Sequence, residues 1–304
     1  MKIATLTSPY VRLFGVKEAY RMIREAGFEA IDWGIYQRPS RKQLTAAKEL
    51  KELSIFEKEL PEIREYYREE LEAIRENGLA FAQCHAPFPA YVAGRPEVLE
   101  YSIGILKRII EFCHEIGCPK VIIHGITLQC SNTVDTAEDI DRMNRRLYES
   151  LIETLQKTDV TVCLENLFSH SGDIQCVGVC GDPHEAAEEI DRLNALAGKK
   201  CFGFCLDTGH LQLAHIRPYR FIPILGNRLV ALHIHDNDAI HDIHSIPYFG
   251  TVLWDEFITE MQKIGYKGDL SFESVFENAN IALYPTLLKL TADIGCFFRK
   301  KLQS

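Results

Sequence analysis

The sequence predicts an α/β fold, a closed parallel barrel of eight strand–helix units, from three observations. Short apolar β-type runs alternate with amphipathic helical runs along all 304 residues. Strict alternation of this kind is typical of a parallel sheet with helical crossovers. Eight such units close a (β/α)8 barrel. No glycine-rich phosphate loop follows the first strand, which disfavours the alternative of an open, doubly wound sheet.

Turn and cap residues bound the elements of this TIM barrel. The predicted strands are residues 3–7, 30–34, 79–85, 120–124, 160–165, 201–207, 229–235 and 269–273. The predicted helices are residues 16–25, 61–77, 96–116, 135–157, 184–196, 219–225, 254–264 and 281–300. Gly117 and Gly265 follow two helices at C-cap positions, and Asp182 before Pro183 marks a helix start. No linker or repeat interrupts the pattern, so residues 1–304 are predicted to form one domain.

Charge, cysteine content and hydropathy indicate the partners and the cellular environment to expect for this chain. The net charge of −9 gives no sign of a surface for polyanions, which disfavours nucleic acid as a partner. Of the ten cysteines, Cys84, Cys163 and Cys205 lie in apolar runs, where a free thiol behaves as a small hydrophobe. The N-terminus lacks a hydrophobic signal region, and no apolar run is long enough to cross a membrane. We expect a reduced, cytoplasmic protein without membrane contact.

Titratable residues stand at or near the carboxyl ends of seven predicted strands. They are Asp32, His85, His124, Glu165, Asp207, His235 and Glu273. In a barrel these ends converge on one face, where such groups are costly unless they bind a cation or a polar ligand. Residues 229–250 form the densest cluster, and His233 and His235 share one face of its strand. Imidazole and carboxylate are usual metal ligands, so we predict a metal site; a hydrogen-bonded polar core is the alternative.

Seven motifs in these positions resemble the xylose isomerase-like TIM-barrel superfamily of sugar isomerases, sugar 3-epimerases and the endonuclease IV group. They are CHAPF (84–88), VIIHG (121–125), CLENL (163–167), CLDTGH (205–210), LHIHDND (232–238), DIHSIPYFGTVLW (242–254) and LSFES (270–274). The resemblance implies one divalent ion, manganese above zinc, cobalt or magnesium, with four protein ligands: Glu165, Asp207, His235 and Glu273. His235 is preferred to His233 because HDND aligns with the ligand histidine of the family.

The resemblance further implies an isomerase or epimerase that acts on a sugar or sugar derivative through a metal-stabilised enediolate. Glu165 and Glu273 would form the acid/base pair. The substrate-binding residues would be His85, His124 and His210, with Phe88, Trp33 and Trp254 walling the pocket. Relatives often form homo-oligomers, and the sequence does not fix whether this chain does.

Three other functions stay open. With Asp242 and His244, the chain has a candidate for each of the nine ligands that hold three zinc ions in endonuclease IV, which acts on abasic DNA. A dehydratase or lyase of the same superfamily and a non-catalytic sugar-binding protein are the others. DNA cleavage is disfavoured by the acidic charge and by a loop after strand five without lysine or arginine.

A phosphorylated sugar would need a cation near the site, for which the loop candidates are Arg38, Arg95 and Arg217. We expect His114, His170, His184 and His215 to be surface residues.

Overall fold

The computed structural model describes residues 1–35, 39–128, 134–171, 174–276 and 279–304. Its strands are β1 (Ile3–Leu6), β2 (Ala30–Gly34), β3 (Ala80–His85), β4 (Lys120–Ile123), β5 (Thr161–Glu165), β6 (Phe168–Ser171), β7 (Ile174–Val177), β8 (Phe202–Asp207), β9 (Leu229–His233) and β10 (Leu270–Phe272). Eight of them form one parallel sheet in the order β10-β1-β2-β3-β4-β5-β8-β9. The prediction of an eight-stranded parallel TIM barrel is confirmed.

The barrel closes between β9 and β10. Ile234 forms a parallel bridge to Phe272, with its N–H donating to the Ser271 carbonyl at 2.8 Å and its carbonyl accepting from the Glu273 N–H at 3.0 Å. These two hydrogen bonds extend the pairing with β10 one residue beyond the end of β9. They place His233 and His235 on either side of the closing bridge, with His233 Nδ1 3.2 Å from Glu273 Oε2.

Helices surround the barrel. They are α1 (Ser8–Phe14), α2 (Val16–Ala26), α3 (Arg41–Ala46), α4 (Leu60–Tyr66), α5 (Arg68–Glu76), α6 (Pro96–Ile116), α7 (Ala137–Glu149), α8 (Ile152–Gln156), α9 (Pro183–Ala197), α10 (Thr208–Leu213), α11 (Pro218–Leu225), α12 (Trp254–Lys263) and α13 (Tyr284–Leu302). The predicted helix 61–77 is divided at Tyr67, whose buried ring packs on Trp33 at 5.0 Å. The antiparallel hairpin β6–β7 occupies a stretch that we expected to be an irregular loop.

The barrel interior changes character from one end to the other. Small and medium apolar side chains form two separate clusters there: Ala4, Ala30 and Ala82, and Ile122, Cys163, Cys205 and Ala231. Further along the same strands the inward positions become polar, with Asp32, Gln83, His233 and Ser271 all buried. The large aromatic side chains pack outside the sheet, against the helices. The polar residues therefore gather near one end of the barrel.

Helix α13 belongs to the outer layer of the barrel. Among the residues described, Ile281–Leu302 is the one helical segment long and apolar enough to cross a membrane, with a mean hydropathy of 1.3. Leu288, Ala292 and Phe298 are nevertheless buried, and a Cβ at Gly295 would collide with Ile3 of β1. The helix is thus packed on the sheet as a core helix is.

The nine cysteines within the described residues are all free; Cys130 lies outside that part of the chain.

Candidate metal centre and active site

The strand ends bring the predicted site residues together on one face. Glu165 ends β5, Asp207 ends β8 and His233 ends β9, while Glu273 directly follows β10. We call these four residues the central cluster. Glu165, Asp207 and His233 are fully buried and Glu273 is 7% exposed. One ligand atom from each lies within 4.8 Å of those of the others, close enough to hold a metal ion.

His233 is the hub of the central cluster. Its Nδ1 lies 2.9 Å from Glu165 Oε1, 3.2 Å from Glu273 Oε2 and 3.9 Å from Asp207 Oδ2. A single imidazole nitrogen therefore faces three carboxylates. Burial opposes protonation of His233, but its surroundings, among them Glu165, Glu273 and the hydrogen bond to Asp32, raise its pKa well above the usual value. Without a metal, the protonated ring compensates part of their charge.

Asp32 lies beneath His233 inside the barrel. Its Oδ2 is 3.0 Å from His233 Nε2 and accepts a hydrogen bond from Gln83 Nε2 at 2.7 Å. Burial opposes ionisation of Asp32, but its bond to His233 lowers its pKa overall. A carboxylate on the far nitrogen of an imidazole is the arrangement that orients metal-binding histidines. The sequence placed Asp32 near a strand end but gave no sign of this supporting role.

His235, the predicted nitrogen ligand, approaches Asp207 from the other side. Its Nε2 lies 3.0 Å from both carboxylate oxygens of Asp207, and its ring stacks on His244 with 4.0 Å between centroids. The ring fits only because residue 209 is glycine, where a Cβ would overlap the imidazole. Both His233 and His235 therefore border Asp207, but His233 is the imidazole that groups with all three carboxylates, whereas His235 groups with Asp207 and His210 and with Asp242 and His244.

Four further groups of potential ligands adjoin the central cluster. They are His85, His124 and Glu165; Asp207, His210 and His235; His235, Asp242 and His244; and Asp32, His85 and His233. In the first, His124 Nε2 lies 3.0 Å from both His85 Nε2 and Glu165 Oε2. All nine residues with candidate metal or substrate roles thus lie in contiguous groups at one face.

The histidines bias the carboxylates toward the ionised form that a metal requires. Burial opposes ionisation of Glu165, but His233 and His124 lower its pKa well below the usual range. Burial likewise opposes ionisation of Asp207, but His210 and His235 lower its pKa. His85 differs because burial dominates and lowers its pKa to about 4. It is therefore neutral at pH 7 and free to bind an uncharged hydroxyl group.

The buried oxygen and nitrogen atoms of the site are suited to bind a divalent cation. Within the described part of the chain, His235 Nδ1 is buried and forms no hydrogen bond, and the buried Glu165 Oε2 has His124 Nε2 at 3.0 Å as its one polar neighbour. Unpartnered polar atoms of this kind are rare in native interiors and call for an explanation. Carboxylate oxygen and imidazole nitrogen are the donors that divalent ions take in proteins. An ion within the central cluster would partner the Glu165 oxygen.

A cavity of about 420 Å³ opens above the cluster. Its polar lining includes His85, His124, His170, His210, Asp242, His244 and Glu273. Phe88 lines the cavity as predicted and stacks on His124 with 4.5 Å between ring centroids. One expectation is wrong, since Trp33 and Trp254 are buried in the core and do not line the cavity. His170 is exposed, as expected, and in addition lines the cavity.

The cavity has one lysine or arginine in its described lining, Arg41. Of the cations proposed for a phosphate, Arg38 lies outside the described residues. Arg95 instead donates to backbone carbonyls at the end of α3, including Ala47 at 2.9 Å, and Arg217 donates to the Thr251 carbonyl at 3.4 Å. Neither Arg95 nor Arg217 lines the cavity.

The buried carboxylate of Asp236 organises the loop that carries Asp242 and His244, which the sequence did not reveal. Its Oδ1 accepts from the N–H groups of Asn237 and Val252, both at 3.0 Å. Its Oδ2 accepts from the Tyr248 N–H at 3.1 Å and from Trp254 Nε1 at 2.8 Å. Four donors from both ends of residues 237–254 thus converge on one side chain and fix the loop over the site.

Comparison with known proteins agrees with this architecture. A family model described as xylose isomerase-like TIM barrel matches residues 20–293. The uncharacterized protein y4fM of Sinorhizobium fredii is 25% identical over 267 residues, which cover 86% of this chain and 81% of the relative. The crystal structure of a D-tagatose 3-epimerase-like protein is similar with a TM-score of 0.66 and 19% identity, covering 100% of this chain and 98% of that one. The 3-keto-D-glucoside 4-epimerase YcjR of E. coli has a TM-score of 0.68 and 16% identity, with 99% of both chains covered.

Proposed function

We propose a function for this chain on the premise that it belongs to the family of xylose isomerase-like TIM barrels, as the match over residues 20–293 establishes. The chain is a divalent-metal-dependent isomerase or epimerase of a small keto sugar or sugar derivative. The observation that carries the proposal is the central cluster, three buried carboxylates and an imidazole within 4.8 Å of one another, at the base of a cavity of about 420 Å³. The epimerases among its structural neighbours support the same class of reaction.

Glu165, Asp207 and Glu273, with His235 or His233, would hold the metal. A ligand set with three carboxylates suits a hard ion, so we propose manganese, with magnesium, cobalt or zinc as alternatives. Bound there, the ion would supply Lewis-acid stabilisation of negative charge that develops on a substrate carbonyl oxygen.

The two glutamates differ in their access to substrate. Glu273 lines the cavity, whereas Glu165 is fully buried and lies 3.0 Å from His124. Glu273 can therefore accept a proton directly from the carbon next to the carbonyl group. Glu165 would serve the opposite face of the substrate as the second acid/base group. His85, His124 and His210 line the cavity and would bind substrate hydroxyl groups.

Metal analysis of wild type, Glu165→Gln and Glu273→Gln tests the proposal, with the exposed Glu188→Gln as the matched control. We expect about one manganese per chain in wild type and control, less in the two site variants, and turnover of a keto-sugar panel that both variants lose. The panel should include D-tagatose and 3-keto-D-glucosides, because epimerases of these sugars share the fold. A metal-free wild-type protein, or full activity in Glu273→Gln, would refute the assignment.

A zinc phosphodiesterase acting on abasic DNA is the second candidate function. It is favoured by the arrangement of the ligand groups, because nine candidate ligands form adjoining sets around Glu165, Asp207 and His235. The single arginine in the described lining of the cavity argues against a phosphate-rich substrate. Two or three zinc ions per chain, with cleavage of an abasic oligonucleotide, would establish this alternative. The number of domains, the oligomeric state and the cellular location stay predictions.

A further inference from the structure

A second cavity, of about 560 Å³, adjoins the candidate active site. It lies between the start of α1, residues 242–249 and the segment that follows β10. Asp242, His244 and Glu273 line this cavity and also the first one. The proposed proton acceptor Glu273 therefore borders both cavities.

The two cavities differ in chemistry. The first cavity combines imidazoles and carboxylates with apolar side chains such as Phe88 and Phe168. The second is lined mainly by aliphatic and aromatic side chains, among them Leu6, Pro9, Ile246 and Phe276. Phe249, also in this lining, is 66% exposed. Large apolar side chains left exposed beside a site commonly mark a surface that binds an apolar group.

We propose that the second cavity binds an apolar aglycone, so that the substrate is a keto sugar linked to an aromatic or aliphatic group rather than a free monosaccharide. The sugar hydroxyl groups occupy the first cavity, where His85, His124 and His210 lie. The reacting carbon stands at Glu273, and the apolar group extends past His244 toward Ile246 and Phe276. The inference rests on the proposed function, because it takes the position of the reacting carbon from it.

A matched pair of ligands tests the inference. Methyl and phenyl 3-keto-D-glucoside share the sugar and differ only in the apolar group. Their dissociation constants are measured by titration calorimetry with the manganese-loaded, full-length protein. Burial of a phenyl ring should strengthen binding about tenfold or more. We therefore expect the phenyl glycoside to bind at least about tenfold more tightly than the methyl glycoside.

A variant that fills the second cavity provides the structural control. Ala279 lines only this cavity, so Ala279→Phe should remove the advantage of the phenyl group and leave methyl glycoside binding unchanged. Leu196→Phe, on an exposed position of α9, should retain the full advantage. Circular dichroism and manganese content verify folding, and Leu290→Trp replaces Ala279→Phe if the latter does not fold.

Three results would overturn the inference, and they separate its failure from that of the proposed function. Equal binding of both glycosides by wild type, with turnover of the methyl glycoside, rejects the aglycone site alone. Failure of a manganese-loaded protein to bind or convert any keto sugar rejects both. Light scattering that shows a wild-type dimer, dissociated by Ala279→Phe, would identify the cavity as an interface between copies of the chain.

Discussion

Replacement of Asp236 by asparagine should destabilise the protein far more than its small change in shape suggests. The carboxylate accepts four N–H donors, two on each oxygen. An asparagine side chain has one carbonyl oxygen, and its NH₂ group can only donate. In either orientation of the amide, two N–H groups of the loop face the NH₂ group, which cannot accept a hydrogen bond from them.

The structure sets the size of the effect. The less costly orientation keeps the carbonyl toward Asn237 and Val252 and turns the NH₂ group toward Tyr248 and Trp254. Tyr248 is exposed, so water can replace its partner, but the indole of Trp254 is buried. A buried donor without a partner costs about 1–3 kcal/mol, and the opposed donors add to this. We expect a loss of about 2–4 kcal/mol from a total of about 5–15 kcal/mol for a typical domain.

Urea denaturation of the metal-free protein measures the loss, with Asp238→Asn as the control. Asp238 is exposed and accepts from the backbone N–H groups of Ile240 and His241 through Oδ1, an oxygen that asparagine retains. Its Oδ2 lies 2.9 Å from Nδ1 of the exposed His241 ring, a surface pair that contributes little. Its replacement should cost less than about 0.5 kcal/mol. A cycle with Trp254→Phe should give a coupling of about 1 kcal/mol or more. The reasoning fails if Asp236→Asn costs under about 1 kcal/mol or shows no coupling to Trp254→Phe.

Further predictions concern the residues around the site. Gly209→Ala should force the His235 ring aside and cost about 1–3 kcal/mol of stability, and it should weaken manganese binding if His235 is the ligand. Gly104→Ala, with open space inside α6, should instead stabilise the fold by about 0.5–1 kcal/mol; equal effects of the two substitutions in urea denaturation would contradict this. Burial opposes protonation of His244, but Asp242 raises its pKa to about 10. The contribution of protonated His244 to the stability of the fold is therefore complete below the unfolded pKa of about 6.5 and is lost as the pH rises through 10. The difference in unfolding free energy between metal-free wild type and His244→Gln should shrink over that interval; a constant difference would be contrary evidence. Asp32→Asn should weaken manganese binding about 10–100-fold if His233 is the ligand, and unchanged affinity in calorimetry would favour His235.

The barrel could be predicted from the sequence because its signals are local and repeated. Each strand is a short apolar run, and several helices end at a C-cap glycine, such as Gly117 with φ 75° after α6. The hairpin β6–β7 lacks such a signal, because Ile174 is exposed and neither strand alternates cleanly between buried and exposed positions. The break at Tyr67 is likewise tertiary in origin, since it follows from packing of the tyrosine ring on Trp33.

The residues of the site could be predicted from the sequence, but the hydrogen bonds between them could not. Residues at strand ends must converge in a barrel, which is why Glu165, Asp207 and Glu273 could be grouped in advance. Hydrogen bonds between distant segments leave no mark in a periodic pattern. Asp32 and His233 are 201 positions apart in the sequence, and the four donors on Asp236 depend on how the loop folds back.

The relation between His233 and His235 shows where periodicity fails. Alternation along a single strand puts both rings on one face and makes them equivalent. The strand ends at His233, however, and Ile234 turns to β10 to close the barrel. His233 is thereby held from below by Asp32 and faces all three carboxylates, whereas His235 is held against Asp207 by Gly209 and His244. The two rings have different partners and different supports, so each should respond to its own substitution: Asp32→Asn acts through His233, and Gly209→Ala acts through His235. Whichever substitution lowers metal affinity without the other identifies the nitrogen ligand.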